Sequence, residues 1–307
     1  MGILVVGSVA LDTIKTPFGE KEEILGGAAS YFSVAASYFT NVSMVAVVGD
    51  DFPEEHISFF KEKGIDISGL QRQKGKTFRW KGVYDTDLNT RTTLDTQLNV
   101  FADFVPQLSE SHRFSEFLFL GNIDPDLQTY VLKQLRQPRL IACDTMNYWI
   151  ERKPEALLNT LSMVDLLVIN DEETRQLAKE QNLIRAARHI LTLGPKIIVI
   201  KRGEYGALML SPYSIFSIPA FPEENVFDPT GAGDSFAGGL MGYISRAGRL
   251  DDSALRRAVV FGSVMASYSI KGFGPRQIGN LAFQDIKSRY NEFHKLAYFD
   301  DIMHQSI

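Results

Sequence analysis

Residues 228 to 236 read DPTGAGDSF, and the small, mostly apolar run AGGLMGYI follows at once. A helix starting here leaves the N–H groups of its first turn aligned and without partners, which makes its N-terminus a site for an anion. Gly231, Ala232 and Gly233 supply that cradle, because glycine lets the main chain approach a phosphate with no Cβ in the way. An acidic residue in the first turn gains about 0.3–1 kcal/mol from the helix dipole. That gain accounts for Asp234, but not for the glycines before it or for Ala237, Gly238 and Gly239 after it. Beside a bound phosphoryl group, a carboxylate is repelled unless it has chemistry to do. The chemistry that suits it is removal of a proton from a hydroxyl as that oxygen attacks phosphorus, while the amides stabilise charge on the group in transfer.

Such a loop needs a rigid frame. Short apolar runs recur along the chain: ILVVG, VSMVAVVG, FLFLG, LIACD, LLVIN and KIIVIKRG. They lack strict alternation, the pattern of strands buried on both faces. Helical patterns separate them: AASYFSVAASYF, PEEHISFFKEKG, DPDLQTYVLKQL and the stretch from TRQLAKEQ to LIRAARHIL. Strand and helix in turn predict an α/β fold, a doubly wound and mostly parallel sheet flanked by helices, whose ligands sit at the carboxyl ends of the strands. Between Gly75 and Phe104 the rhythm changes to alternating polar and apolar residues with many Thr and a DTDLNT turn. This segment and residues 12–25 are expected to form a small antiparallel β-sheet lid within one domain spanning 1–307.

The bulk properties exclude several classes. With 307 residues, 45% hydrophobic, the chain is long enough for a sizeable core. A net charge of -5 and no run of five basic residues leave no footprint for nucleic acid or an anionic membrane. No window approaches a membrane span and the N-terminus opens directly on a strand, so the expectation is a soluble, cytoplasmic protein. Cys143, the lone cysteine, allows no internal disulfide and reads as a core thiol in a reducing compartment. Five scattered histidines have no metal-ligand spacing. GLQRQKGKT at 69–77 imitates a phosphate loop, but its glycines stand one residue too far apart, and a strand is expected after it. GSVALD after the first strand lacks the Gly-x-Gly-x-x-Gly of a dinucleotide fold.

DPTGAGDSFAGG resembles the C-terminal signature of the ribokinase-like, or PfkB, carbohydrate kinases. GSVALD at 7–12, LGGAASYFSVAASYF at 25–39 and VVGDDF at 47–52 resemble the first signature of that family, in the same order. NDEE at 170–173 is similar to its Asn-x-x-Glu motif and KRGEYG at 201–206 to its nucleotide loop. The resemblance implies Asp234 as catalytic base, with the Gly231, Ala232 and Gly233 amides as anion hole. It implies ATP as donor, contacted by Lys201 and Gly203 and bordered at the adenine by Ser263, Gly272 and Gly274. Asn170 and Glu173 would support Mg²⁺ through water, and Asp228 a monovalent cation such as K⁺. Asp12 would take hydrogen bonds from the acceptor's hydroxyls, with Gly26 and Gly27 at the lid hinge.

The residues by themselves also allow plainer roles. Asn170 and Glu173 suit a helix start, Asp12 a turn, and Lys201 with Arg202 a solvated strand edge. Tyr31 stands where many family members place an Asn against a sugar hydroxyl, and Phe78, Trp80 and Tyr84 can stack on a base or a sugar, or serve as sheet core or dimer contacts. The expected activity is ATP-dependent phosphorylation of a hydroxyl on a sugar or a sugar-containing small molecule. A nucleoside kinase of the same fold is the alternative, and a non-catalytic nucleotide or sugar sensor a further one. An exposed lid edge makes a homodimer through the lid an expectation as well.

Overall fold

The uninterrupted Val, Ile and Leu runs pair with one another. In the computed structural model, which describes residues 2–300, the strands are β1 (Gly2–Val6), β2 (Ala10–Thr16), β3 (Gly19–Gly26), β4 (Asn41–Gly49), β5 (Ile65–Gln73), β6 (Phe78–Tyr84) and β7 (Arg91–Gln97). They continue as β8 (Phe117–Leu120), β9 (Leu140–Asp144), β10 (Leu166–Asn170), β11 (Ile197–Lys201), β12 (Ala207–Leu210) and β13 (Ile215–Ile218). Nine form one sheet in the order β13-β12-β11-β10-β9-β8-β1-β4-β5. It is parallel from β11 to β5, and β12 and β13 add an antiparallel edge. Strand β1 shows why its run cannot alternate. Ile3 and Val5 join the core on one face while Leu4 and Val6 join the core on the other, so both faces are covered by helices. Cys143 is buried in β9.

Three strands lie where the sequence reading has none. Strand β5 is a half-exposed edge without an apolar run, and β12 and β13 have only four residues each. The phosphate-loop imitation ends in β5 and a turn, where the Thr77 hydroxyl accepts from the Gly49 amide (3.0 Å) and donates to Asp51 (2.8 Å).

A second, four-stranded sheet has the order β3-β2-β6-β7. Its β2 and β6 are parallel, with Asp12 beside Trp80, and β6 and β7 are antiparallel, with Gly82 beside Thr93 and Tyr84 beside Arg91. Alternate residues share a face, so Asp12, Trp80, Tyr84, Arg91 and Thr93 line one side of this sheet. Residues after β7 return to the main body, where Val100 and Phe104 are core.

The helix Ala232–Ala247 is held between the helices Ala28–Ser37 and Asp252–Ser269. A Cβ on Gly238 would collide with the Phe32 carbonyl, and one on Gly239 would stand 2.7 Å from the Phe261 carbonyl. Small residues after Asp234 are thus the condition for three helices to meet at backbone distance, which aims the N-terminus of the middle one.

Candidate active site

Adjacent parallel strands deliver three side chains to one rim: Asp144 ends β9, Asn170 ends β10 and Lys201 ends β11. Lys201 Nζ donates to Asp144 Oδ2 at 3.1 Å, and the Thr145 amide donates to Asp144 Oδ1 at 2.7 Å. Lys201 is therefore no solvated edge charge. Asn170 and Glu173 form a capping box: the Asn170 side-chain oxygen accepts from the Glu173 amide (2.7 Å), and Glu173 Oε2 accepts from the Asn170 amide (3.0 Å). The helix start therefore exists, and Asn170's oxygen is committed to it. Any part Asn170 plays toward a metal runs through Glu173 or water. Burial pushes the Glu173 carboxyl up to about 7, with Lys201 opposing and Asp144 adding to the shift.

Asp234 sits in the first turn of the helix Ala232–Ala247, after Gly231 at φ 73. A side chain at 231 would need that left-handed backbone and would overlap the Tyr31 ring. The Ala232 amide donates to the Pro229 carbonyl at 3.2 Å. Among the described residues the Gly231, Gly233 and Asp234 amides have no such partner, so of the three expected donors only Ala232 is turned back on the chain, and the open amides extend one residue further, to Asp234. A Cβ on Gly233 would stand 3.0 Å from Lys201 Nζ, which places that ammonium group over the cradle. Burial pushes Asp234 up to about 7, with Asp144 adding and Lys201 and Arg91 opposing.

On the other side of Asp234, Asp12, Tyr31 and Asp228 are buried together. Asp12 is raised to about 7 by burial, against the Gly27 amide and with help from the charges of Asp228 and Asp234. Gly26 touches it so closely that a Cβ there would overlap the carboxylate, and Gly27 follows at φ 88. The Tyr31 hydroxyl is buried without a hydrogen-bond partner. Asp228 Oδ1 accepts from the Thr230 amide at 2.9 Å, Oδ2 has no partner, and burial raises the carboxyl to about 6. Tyr84 of β6 accepts from the Thr230 hydroxyl at 3.1 Å, tying the small sheet to the glycine loop. The other two aromatics have structural partners. Phe78 stacks on Phe101, while Trp80 covers Gly82 and lies 5.5 Å from the Arg91 guanidinium.

Beyond the cradle opens a cavity of about 540 Å³. Lys201, Gly203, Ala232, Gly233 and Ser263 line it, as does Asp87–Asn89 at the tip of the β6–β7 hairpin. The Ser263 hydroxyl donates to the Val259 carbonyl at 3.1 Å, which leaves it only acceptor capacity toward the cavity. Gly272 and Gly274 are not in this lining, contrary to the expected adenine border. The Phe227 and Asp228 amides bond to the Ile270 carbonyl (2.8 and 3.2 Å), which folds residues 270–276 under the DPTGAGD loop. Gly274 then lies near the Leu25 carbonyl of β3 and Asp228, and Gly272 against Gln277.

Sequence reasoning missed two members of the cluster. Asp144 closes an apolar run and reads as a strand end; only the pairing of β9, β10 and β11 reveals its place. Arg91, in the Thr-rich hairpin, acts on Asp12, Glu173 and Asp234 from across the cleft. Among the described residues, no three His, Cys, Asp or Glu gather as a metal site and no helix is long and apolar enough to cross a membrane.

Residues 4–278 match the model of the pfkB family of carbohydrate kinases. The chain is 29% identical over 258 residues to a cytidine kinase of Thermococcus kodakarensis, covering 82% of this chain and 91% of that one. Its fold is similar to that of Burkholderia thailandensis nucleoside kinase, solved with inosine: TM-score 0.78, 19% identity, 95% of this chain and 97% of the other. It is also similar to aminoimidazole riboside kinase of Salmonella enterica, solved with its riboside and an ATP analog: TM-score 0.75, 19% identity, 94% and 100%.

Proposed function

The chain belongs to the pfkB family of carbohydrate kinases, and from that premise we propose that it transfers the γ-phosphoryl group of ATP to a hydroxyl of a riboside, a sugar that carries a base. The observation that carries this reading is the position of Asp234. It lies at a helix N-terminus beside a cavity large enough for a nucleotide, and its charge acts on Asp12 and Tyr31 in a cluster of buried groups with Asp228, of which the Tyr31 hydroxyl and Asp228 Oδ2 have no partner. The acceptor's hydroxyls answer Asp12 and the orphaned phenol of Tyr31, since a buried polar group without a partner costs about 1–3 kcal/mol. The riboside assignment is supported by the likeness to a cytidine kinase over most of both chains and by Tyr31, whose bulk differs from the Asn many sugar kinases place there.

In the transfer, Asp234 takes the hydroxyl proton as the oxygen attacks, and the Gly233 and Asp234 amides receive the charge on the moving group. The Tyr84–Thr230 bond holds the small sheet over the reacting groups, so that water does not compete for the phosphoryl group. Glu173 Oε1, outside the capping box, fits a magnesium ion that keeps most of its water. That ion neutralises phosphate charge when bound. Asp228 Oδ2 fits a monovalent cation for the same reason: it is a buried carboxylate oxygen with no donor.

The test is a panel of cytidine, inosine, other ribosides, free ribose, fructose and inositol, each followed by ADP release with Mg²⁺ and with or without K⁺. Turnover with ribosides at least tenfold above the free sugars is the expected result. Activity confined to free sugars or inositol overturns the riboside assignment.

A further inference from the structure

We propose that Lys201 is a catalytic residue of the transfer step, whose ammonium group meets the phosphoryl group in flight, and that Asp144 is the positioning residue that holds it there. The inference rests on the kinase reading above. Lys201 ends β11, and its Nζ lies 3.0 Å from where a Cβ of Gly233 would stand, at the open cradle. Its bracket is rigid. Asp144 is 6% exposed and uses one oxygen for Lys201 and the other for the Thr145 amide. The pair spans β10, since β9 and β11 are its two neighbours, so the side chains are fixed by the sheet itself.

The charge balance points the same way. Lys201 is drawn upon by Asp144, Glu173 and Asp234 at once, and the other cation acting on Glu173 and Asp234, Arg91, comes from the small sheet. An ammonium fixed beforehand where negative charge passes from donor to acceptor stabilises the transition state without reorganising. To raise kcat, this ammonium must act more strongly on the charge in transfer than on bound ATP.

Lys201→Met, Asp144→Asn and the double variant separate this role from plain charge neutralisation, with cytidine, or the best acceptor of the panel, as substrate. Lys201→Met is expected to lower kcat about 100-fold or more while the KM for ATP changes less than about threefold. It should also abolish the tight binding of ADP with aluminium fluoride in the presence of acceptor. Asp144→Asn should lower kcat by about tenfold with KM unchanged. The double variant relieves the unpaired buried carboxylate that Lys201→Met leaves, so its melting temperature should return toward wild type while kcat stays at the Lys201→Met level. Recovery of wild-type kcat in the double variant would mean that Lys201 only neutralises Asp144. A raised KM for ATP at unchanged kcat would make it a nucleotide anchor. Either result overturns the inference, and both are judged on an acceptor the wild-type enzyme turns over, so failure of the riboside assignment remains a separate outcome.

Discussion

Burial pushes the carboxyls of Asp12, Glu173 and Asp234 up to about 7, and the cations Lys201 and Arg91 oppose the shift at Glu173 and Asp234, while the Gly27 amide and Arg91 oppose it at Asp12. A general base must be ionised to act, and at pH 6 most of the free enzyme holds the Asp234 proton. The kcat/KM for the acceptor is therefore expected to rise with pH and level off above an acid limb near 7, measured between pH 5.5 and 9. A profile already flat at pH 6 would speak against Asp234 as the group that titrates. Asp234→Asn should lower kcat by about 10²–10⁴-fold with ATP binding retained, as calorimetric titration would show. At this scale the sequence was legible wherever a residue type contradicted its surroundings, as a carboxylate among glycines does. Asp144 offers no contradiction, because an Asp ending an apolar strand is ordinary; what matters is which strands lie beside it. Arg91 becomes visible only when the hairpin is laid over the cleft.

The helix that carries Asp234 is aimed by contacts that tolerate no side chain. The Phe32 carbonyl stands where a Cβ of Gly238 would be, and Ala36 approaches Gly242 in the same way, so two helices touch along their backbones. Gly238→Val pushes the helix off this seat. Overpacking of a tight contact costs about 1–3 kcal/mol, and urea unfolding should find that loss. The kcat should fall with it, because the displaced N-terminus moves the cradle and Asp234 together while the KM for ATP is less affected. An unchanged kcat in a destabilised Gly238→Val would show that the aim of the helix does not depend on this contact. The alternation of helix and buried strand was legible from the apolar runs, since a strand covered on both faces needs no polar positions. Strands β5, β12 and β13 escaped because edges and short antiparallel pairs need no such run. The union of residues 12–25 with 75–104 was legible, but the parallel pairing of β2 with β6 was not, where an antiparallel sheet was expected, since the two strands come from distant parts of the chain.

For the whole molecule, gathering buried carboxylates around one site sets stability against function. The unfolded chain releases these protons near 3.8 for Asp and 4.5 for Glu, whereas the folded chain keeps them up to about 7 at Asp12, Glu173 and Asp234 and about 6 at Asp228. Across pH 4 to 7 the folded state thus binds more protons than the unfolded one, so stability falls as pH rises and the loss is complete once the folded groups ionise. Carboxylates held below their usual range, such as Asp51, Asp66 and Glu180, work in the opposite sense only at the acid end of this window, and between pH 6 and 8 the buried His56, whose pKa is lowered by burial, opposes the four. The ligand-free protein is expected to melt several degrees higher at pH 6 than at pH 8, on the order of 2 °C for each kcal/mol in a chain of this size. Asp12→Asn and Asp228→Asn should each raise the melting temperature at pH 8 and flatten the slope, because each removes a buried charge without removing its shape. Saturating ATP with Mg²⁺ should flatten it too, by bringing cations and donors to the carboxylates that lack them. A melting temperature that is equal at pH 6 and 8, or higher at pH 8, in the wild type would mean that water or ions already reach the cleft and hold these groups ionised in the resting enzyme.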